Sequence, residues 1–404
     1  MGLFKNKEAK NALYIASMCS LSYLAVYFAK NILSATSPQL IENGIATQSD
    51  IGTFSSVYFI CYALGQLVNG MVGDKIKAKY MISLGLIFAG ISNFLFVNII
   101  SLPTLACIAY ALMGVALSMI YGPMTKTVAE NTNPLYAPRC SLGYTVSSFL
   151  GSPFAGIAAA IFAWKTVFYL NSSALLIMGC ICFLVFLIFE KNGIVKYNQY
   201  SKQKGEKINL KEGIKILVKR QIIKFTVISI VTGVVRTAVV FWLPTYVNQY
   251  LGFSTGLSAT VFTIATFIFS SSAIIAVFTY ERLKRNMDLT ILLMFSVSAV
   301  MFLLVYFVKI PVVNIVFLIL AVLSSNCAAS MLWSTYCTGL RDTGIVSAAT
   351  GFLDSMSYLG AAIASSAFAN AVDGIGWGNL ILVWLGLVMI GVFVSLPYKK
   401  LKRH

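Results

Sequence analysis

Three residues near the start of the chain, Tyr23, Tyr27 and Lys30, stand at i, i+4 and i+7 in the stretch SYLAVYFAKNIL, residues 22–33. On a helix that spacing puts two phenol hydroxyls and an ammonium on one face. In a low-dielectric setting such a wall of donors makes short, strong hydrogen bonds to an oxyanion. Arg236, in VVRTAVVFWLPTYV, supplies a second cation, whose planar fork suits bidentate contact with phosphate or carboxylate. The stretch GFLDSMSYLG adds a carboxylate, Asp354, with Tyr358 one turn later on the same face. All of these lie in apolar runs, where a charge at mid-bilayer costs at least about 2.5–3.5 kcal/mol on insertion scales. Each also has a plainer role. Lys30 could snorkel outward, Arg236 and Asp354 could form an architectural pair, and tyrosines on a helix face often only pack. Three roles stay open for Asp354: a proton site, a counter-ion for Lys30 or Arg236, or a contact to a cationic group on a substrate.

The elements that must position these residues are membrane helices. The chain is 58% hydrophobic and only 11% charged, where a soluble protein has about 25% charged residues. Runs near the bilayer-crossing length of about 20 residues recur twelve times, at about 12–36, 50–72, 79–98, 102–126, 140–162, 166–189, 219–250, 256–279, 289–308, 311–336, 345–370 and 376–397. Residues 1–11 are polar and lead straight into the first run, so no signal peptide is expected. The net charge of +17 does not indicate nucleic acid, because the basic residues cluster between the apolar runs. Of the 30 Lys and Arg, all but Lys30, Lys165, Arg236 and Lys309 fall on one side of the predicted topology. That side holds both termini and is therefore cytoplasmic.

Several chemistries are unsupported. The lone histidine is the last residue, His404, and the eight cysteines include no CxxC pair, which leaves no visible metal set and suggests that the cysteines are small buried hydrophobes. No nucleophile–base pair or phosphate-cradling glycine motif is visible, so no enzyme and no cofactor is expected.

The longest polar stretch, residues 190–219, divides the runs six and six. The expected organisation is a six-helix bundle over 1–190, a cytoplasmic linker over 191–218 and a second bundle over 219–404. KINLKEGIKILVK within the linker could form an amphipathic helix on the inner leaflet or serve simply as a tether. The halves echo one another at an offset of about 207 residues: Asp74 matches Glu281, Gly143 matches Gly351, and Lys30 matches Arg236. In a repeat-built transporter such a pair is expected at mid-depth near the axis, where substrate binds.

These residues resemble the major facilitator superfamily and, within it, the organophosphate:phosphate antiporters. YLAVYFAKN is similar to that family's first-helix Y-x-x-x-Y-x-x-R/K segment. VVRTAVVFWLPTYV is similar to its seventh-helix arginine followed by W-x-P-T-Y, and SAATGFLDSMSYLG to its eleventh-helix segment. GDKIKAKY resembles the superfamily's acidic–basic loop, keeping Asp74 and Lys75. The resemblance implies an all-α membrane protein of twelve transmembrane helices in two pseudo-symmetric bundles, working by alternating access. It implies that Lys30 and Arg236 bind the anion and that Tyr23, Tyr27 and Tyr358 line the site. Three positions depart from the family: lysine replaces arginine at 30, Ser147 or Ser148 stands where the fifth helix has histidine, and Asp354 replaces a small residue. We take Ser148 and Asp354 as further binding candidates.

The expected function is secondary transport of a small organic anion, foremost an organophosphate and conceivably in exchange for phosphate, or an anion carrying its own positive group. The alternative is a proton-coupled symporter or exporter of carboxylates using Asp354 as proton site; a remote one is a non-transporting ligand sensor. The chain is expected as a monomer in the cell membrane, among lipid, with a small anionic substrate and no nucleic-acid partner.

Overall fold

Lipid offers no partner to backbone N–H and C=O groups, and a helix satisfies them within its own segment. The computed structural model describes residues 7–73, 76–132, 137–197, 215, 217–337 and 346–396, and the regular elements among them are all helical. The first six are α1 (Lys7–Glu42), α2 (Gln48–Gly73), α3 (Ala78–Ile99), α4, α5 (Ala137–Ile161) and α6 (Trp164–Lys191). Helix α4 runs from Pro103–Ser118 through a turn at Met119 and Ile120 into Tyr121–Asn131. Then come α7 (Ile222–Gln249), α8 (Thr255–Arg282), α9 (Met287–Phe307), α10 (Pro311–Tyr336) and the long run Val346–Ser395. One residue in that run, Gly376, is non-helical at φ 74° and ψ 166°. Glycine takes such a positive φ without steric cost, and the run divides there into α11 (346–375) and α12 (377–395).

Among the described residues, ten helical stretches are long and apolar enough to cross a bilayer, Gly351–Ser395 counted as one. Splitting that stretch at Gly376 and adding α5, whose apolar part is Leu150–Ile161, gives the twelve crossings predicted from sequence. Large apolar side chains such as Ile274, Ile363 and Phe307 are 67–74% exposed, as expected of a surface that meets lipid instead of water.

The chain forms two compact units, Met1–Lys207 with Val247–Phe267, and Ile208–Tyr246 with Ile268–His404. In the first, α1 packs along α5 and α6, α2 on α4, and α3 on α4 and α6. In the second, α7 packs along α11 and α9 along α10, while the Phe295 ring lies against Gly391 of α12.

Several buried polar side chains find partners inside the units. Ser22 and Thr36 of α1 donate back to the carbonyls of Met18 (2.9 Å) and Ile32 (2.8 Å). Asn93 of α3 donates to Asn171 Oδ1 (3.0 Å) and Ser172 Oγ (3.1 Å) of α6. In the second unit the seventh-helix motif turns out to be a set of pins. Trp242 Nε1 donates to the Ser365 carbonyl (3.1 Å), and Tyr246 OH donates to Asn314 Oδ1 (2.6 Å). Asn314 in turn donates to the carbonyls of Val305 and Val308, both at 2.8 Å. The residues that follow Arg236 therefore hold its helix in place.

Each unit carries an ion pair at the start of the third helix of its half. Lys224 Nζ lies 3.0 Å from Asp288 Oδ1 at the start of α9. At the start of α3, Lys77 (2.6 Å) and Lys79 both bind the carboxylate of Glu190 at the end of α6. The hydrogen bond to Glu190 raises the Lys77 pKa above its ordinary value. Lys79, in the first turn of α3, is 5% exposed, and Glu190 supplies the charge that makes its burial tolerable. Glu190→Gln is expected to lower stability by about 1–3 kcal/mol through the buried Lys79. Adding Lys79→Met should restore part of that loss, since removing both partners leaves no buried charge behind. Thermal denaturation of the two variants in detergent checks both statements. Asp74, Lys75 and linker residues 198–214 lie outside the described residues.

Candidate functional site

The first unit gathers an aromatic cluster that runs from Tyr23 to Lys30. Tyr23, 7% exposed, packs edge-on against Tyr27 at 5.0 Å between centroids, and it also meets Tyr121 of α4 (5.6 Å) and Tyr144 of α5 (6.0 Å). The predicted stripe of Tyr23, Tyr27 and Lys30 is thus one assembled surface. The ammonium of Lys30 lies over two ring faces, 5.2 Å from the centre of Tyr27 and 4.7 Å from that of Tyr62 on α2. That geometry favours a cation held among aromatic faces over one reaching outward along lipid.

A close helix contact sets this register. Gly151 of α5 faces the backbone of α1, and a Cβ there would stand 2.5 Å from Tyr27 Cβ and 2.8 Å from Phe28 N. No side chain fits without moving α1. Gly151→Leu is therefore expected to cost about 1–3 kcal/mol of stability by overpacking and to weaken ligand binding by displacing Tyr27 and Lys30. A lowered melting temperature with a reduced ligand-induced shift is the result to look for.

Tyr62, Tyr121 and Tyr144 escaped the sequence reading. Tyr58 and Tyr62 stand at i, i+4 in VYFICY, the same signal that picked out Tyr23 and Tyr27, but the charge on their helix, Asp50, sits in its first turn and does not mark the apolar middle. Their rings stack at 5.9 Å and 20°, which backs the Tyr62 face that Lys30 meets.

The second unit places Arg236 on a wider turn. Val234–Val239 is a π-helical segment within α7, and such bulges often occur where a side chain is re-aimed at a functional site. Just before it, Gly233 packs so tightly on Ser357 of α11 that a Cβ would overlap the Ser357 hydroxyl. Ser229 Oγ donates to the Leu353 carbonyl at 2.7 Å. With the two helices locked by these contacts, Arg236 Nη2 comes within 4.0 Å of Asp354 Oδ1, and both side chains stay partly accessible, at 34% and 25%. The guanidinium carbon is 6.0 Å from the centre of the Tyr358 ring, so Asp354 and Tyr358 share the face predicted for them. Of the three roles open to Asp354, the pairing with Arg236 is the one with a contact behind it. The side chain of Ser148 lies outside the described residues.

Chemically, each unit presents an intramembrane cation beside aromatic rings, two tyrosines for Lys30 and one for Arg236, and the second adds a carboxylate. Charges at this depth in a many-helix membrane protein mark substrate paths, so fold and site together define a membrane carrier. The particular lineage follows from comparison: residues 19–365 match the Major Facilitator Superfamily, and the chain belongs to it. It is 24% identical to the membrane sensor protein UhpC of Escherichia coli (strain K12), over 94% of this chain and 90% of that protein. It is 22% identical to the glycerol-3-phosphate transporter of Bacillus subtilis (strain 168), over 95% of this chain and 91% of the relative. Among solved structures, a D-xylose–proton symporter superposes with a TM-score of 0.73 at 14% identity, covering 96% of this chain and 98% of its own. An inward-facing bacterial homologue of the human lysosomal transporter Spinster gives 0.75 at 11% identity, covering 95% and 96%. At those identities the structures speak for the fold alone.

Proposed function

We propose that this protein is a secondary transporter of a small organic anion, foremost an organophosphate, working by alternating access. Lys30 and Arg236 bind the anion, Tyr23, Tyr27 and Tyr358 line its site, and Ser148 and Asp354 contribute polar contacts. The observation that carries this reading is the intramembrane cation of each unit, Lys30 over the rings of Tyr27 and Tyr62 and Arg236 near that of Tyr358. The names of the relatives support the substrate class, since they include transporters of glycerol-3-phosphate and phosphoglycerate. We assign the protein to the cell membrane as a monomer with both termini cytoplasmic, and we assign it no enzymatic reaction. Its working parts are two six-helix bundles, 1–190 and 219–404, joined by the linker 191–218.

A second reading has one specific observation in its favour: the relative named above that matches 94% of the chain is named as a membrane sensor. Counterflow separates the two. Purified protein in liposomes preloaded with phosphate or an organophosphate is challenged outside with labelled sugar phosphates, glycerol phosphate and carboxylates. Accelerated uptake of a phosphate ester is the transporter's result. Binding without any exchange is the sensor's. Failure to bind any organic anion removes both.

A further inference from the structure

The second unit holds an ion pair where a plain anion site would present a cation alone. Arg236 Nη2 and Asp354 Oδ1 are 4.0 Å apart, and both groups are partly accessible. A charge-assisted hydrogen bond runs at about 2.7–2.9 Å, so the two groups stand side by side without being closed on each other. Tyr358, one turn beyond Asp354, keeps its ring 6.0 Å from the same guanidinium. Where α7 meets α11, a cation, an anion and an aromatic ring therefore stand together.

Complementarity to that face is demanding. The charges of Arg236 and Asp354 sum to zero, so a purely anionic group placed on Arg236 gains from the guanidinium and loses to the neighbouring carboxylate. A ligand with an acid at one end and an ammonium a short link away satisfies both. Its acid takes the arginine fork, and its ammonium takes the carboxylate beside an aromatic ring, a setting that favours cations. We propose that the substrate is zwitterionic: a phosphate ester bearing a primary amine, its phosphate on Arg236 and its ammonium on Asp354 against Tyr358. This rests on the organic-anion reading above and narrows it. The same carboxylate on a proton path would leave the preference between amine and hydroxyl unaffected, and that separates the two roles.

A matched pair of ligands tests the idea, 2-aminoethyl phosphate against 2-hydroxyethyl phosphate, which differ only in the ammonium. Binding is read as thermal stabilisation of the purified full chain in detergent over a ligand titration. Wild-type protein is expected to bind the amine at least about tenfold more tightly, a difference of about 1.4 kcal/mol. Asp354→Asn should reverse that order, and Tyr358→Leu should shrink it. Equal affinities in wild type, or an order unchanged by Asp354→Asn, overturns the proposal and leaves the organic-anion reading standing. No binding of either ester, of glycerol phosphate or of any carboxylate overturns that reading and this one together. The wild-type ranking needs no variant, so it decides the matter even if Asp354→Asn fails to fold.

Discussion

Arg236→Ala is expected to cripple ligand binding and transport while the protein still inserts and folds. Removing one partner of a desolvated, charge-assisted contact costs about 2–5 kcal/mol, so affinity is expected to fall by about thirtyfold to several thousandfold. The substitution does more than delete a donor. It also takes away the cation 4.0 Å from Asp354, so that carboxylate opposes an incoming anion more strongly. Folding survives because α7 is held to α11 by contacts that do not involve Arg236. These are the Ser229–Leu353 hydrogen bond, the Gly233–Ser357 approach and the Trp242–Ser365 hydrogen bond. Arg236→Ala with Asp354→Asn should then recover melting temperature but no counterflow. Normal uptake by Arg236→Ala would instead remove arginine from the site and leave its pairing with Asp354 architectural.

Lys30→Met carries the second large effect. Methionine keeps the unbranched apolar stem and removes the charge, so the fit of α1 against α5 is preserved while the ammonium over Tyr27 and Tyr62 is lost. Affinity for a phosphate ester is expected to drop by about a hundredfold, again from about 2–5 kcal/mol of charge-assisted contact. Lys30→Arg should retain most of it, because a guanidinium stacks on aromatic faces and presents a fork to phosphate. Isothermal titration or ligand-induced thermal shift distinguishes the variants. If Lys30→Met bound normally, the lysine would be a packing residue that happens to meet two rings.

In each unit, the candidate residues that could be read in advance are those that share a helix. Tyr23, Tyr27 and Lys30 lie within two turns of one helix, and so do Asp354 and Tyr358. Helical periodicity places such residues on one face whatever surrounds them. Tyr62 belongs to α2, Tyr121 to α4 and Tyr144 to α5, and nothing in spacing along one helix reports which ring of another will meet it. Lys79 shows the same limit from the other side. Its neighbours in sequence say nothing of burial; Glu190, more than a hundred residues later, lets it be buried. The seventh-helix motif also divides only in three dimensions. In the fold only Arg236 faces the candidate site chemistry, while Trp242 and Tyr246 are spent on Ser365 and Asn314.

Composition and the length of the apolar runs were enough to establish a twelve-helix membrane protein, because in lipid the backbone has essentially one way to satisfy itself. The rarity of charge in those runs was enough to single out Lys30, Arg236 and Asp354, since each must have a reason to offset its cost there. What each charge meets was a matter of helix packing. Gly151 allows α1 to approach α5 at Tyr27, and Gly233 allows α7 to touch α11 at Ser357. The π-turn at Val234–Val239 then carries Arg236 to within reach of Asp354. Those contacts join residues distant in sequence through side-chain shape and helix crossing. Neither leaves a period or a motif along the chain, so SYLAVYFAKNIL announces a cation, and only the folded protein shows the rings that hold it.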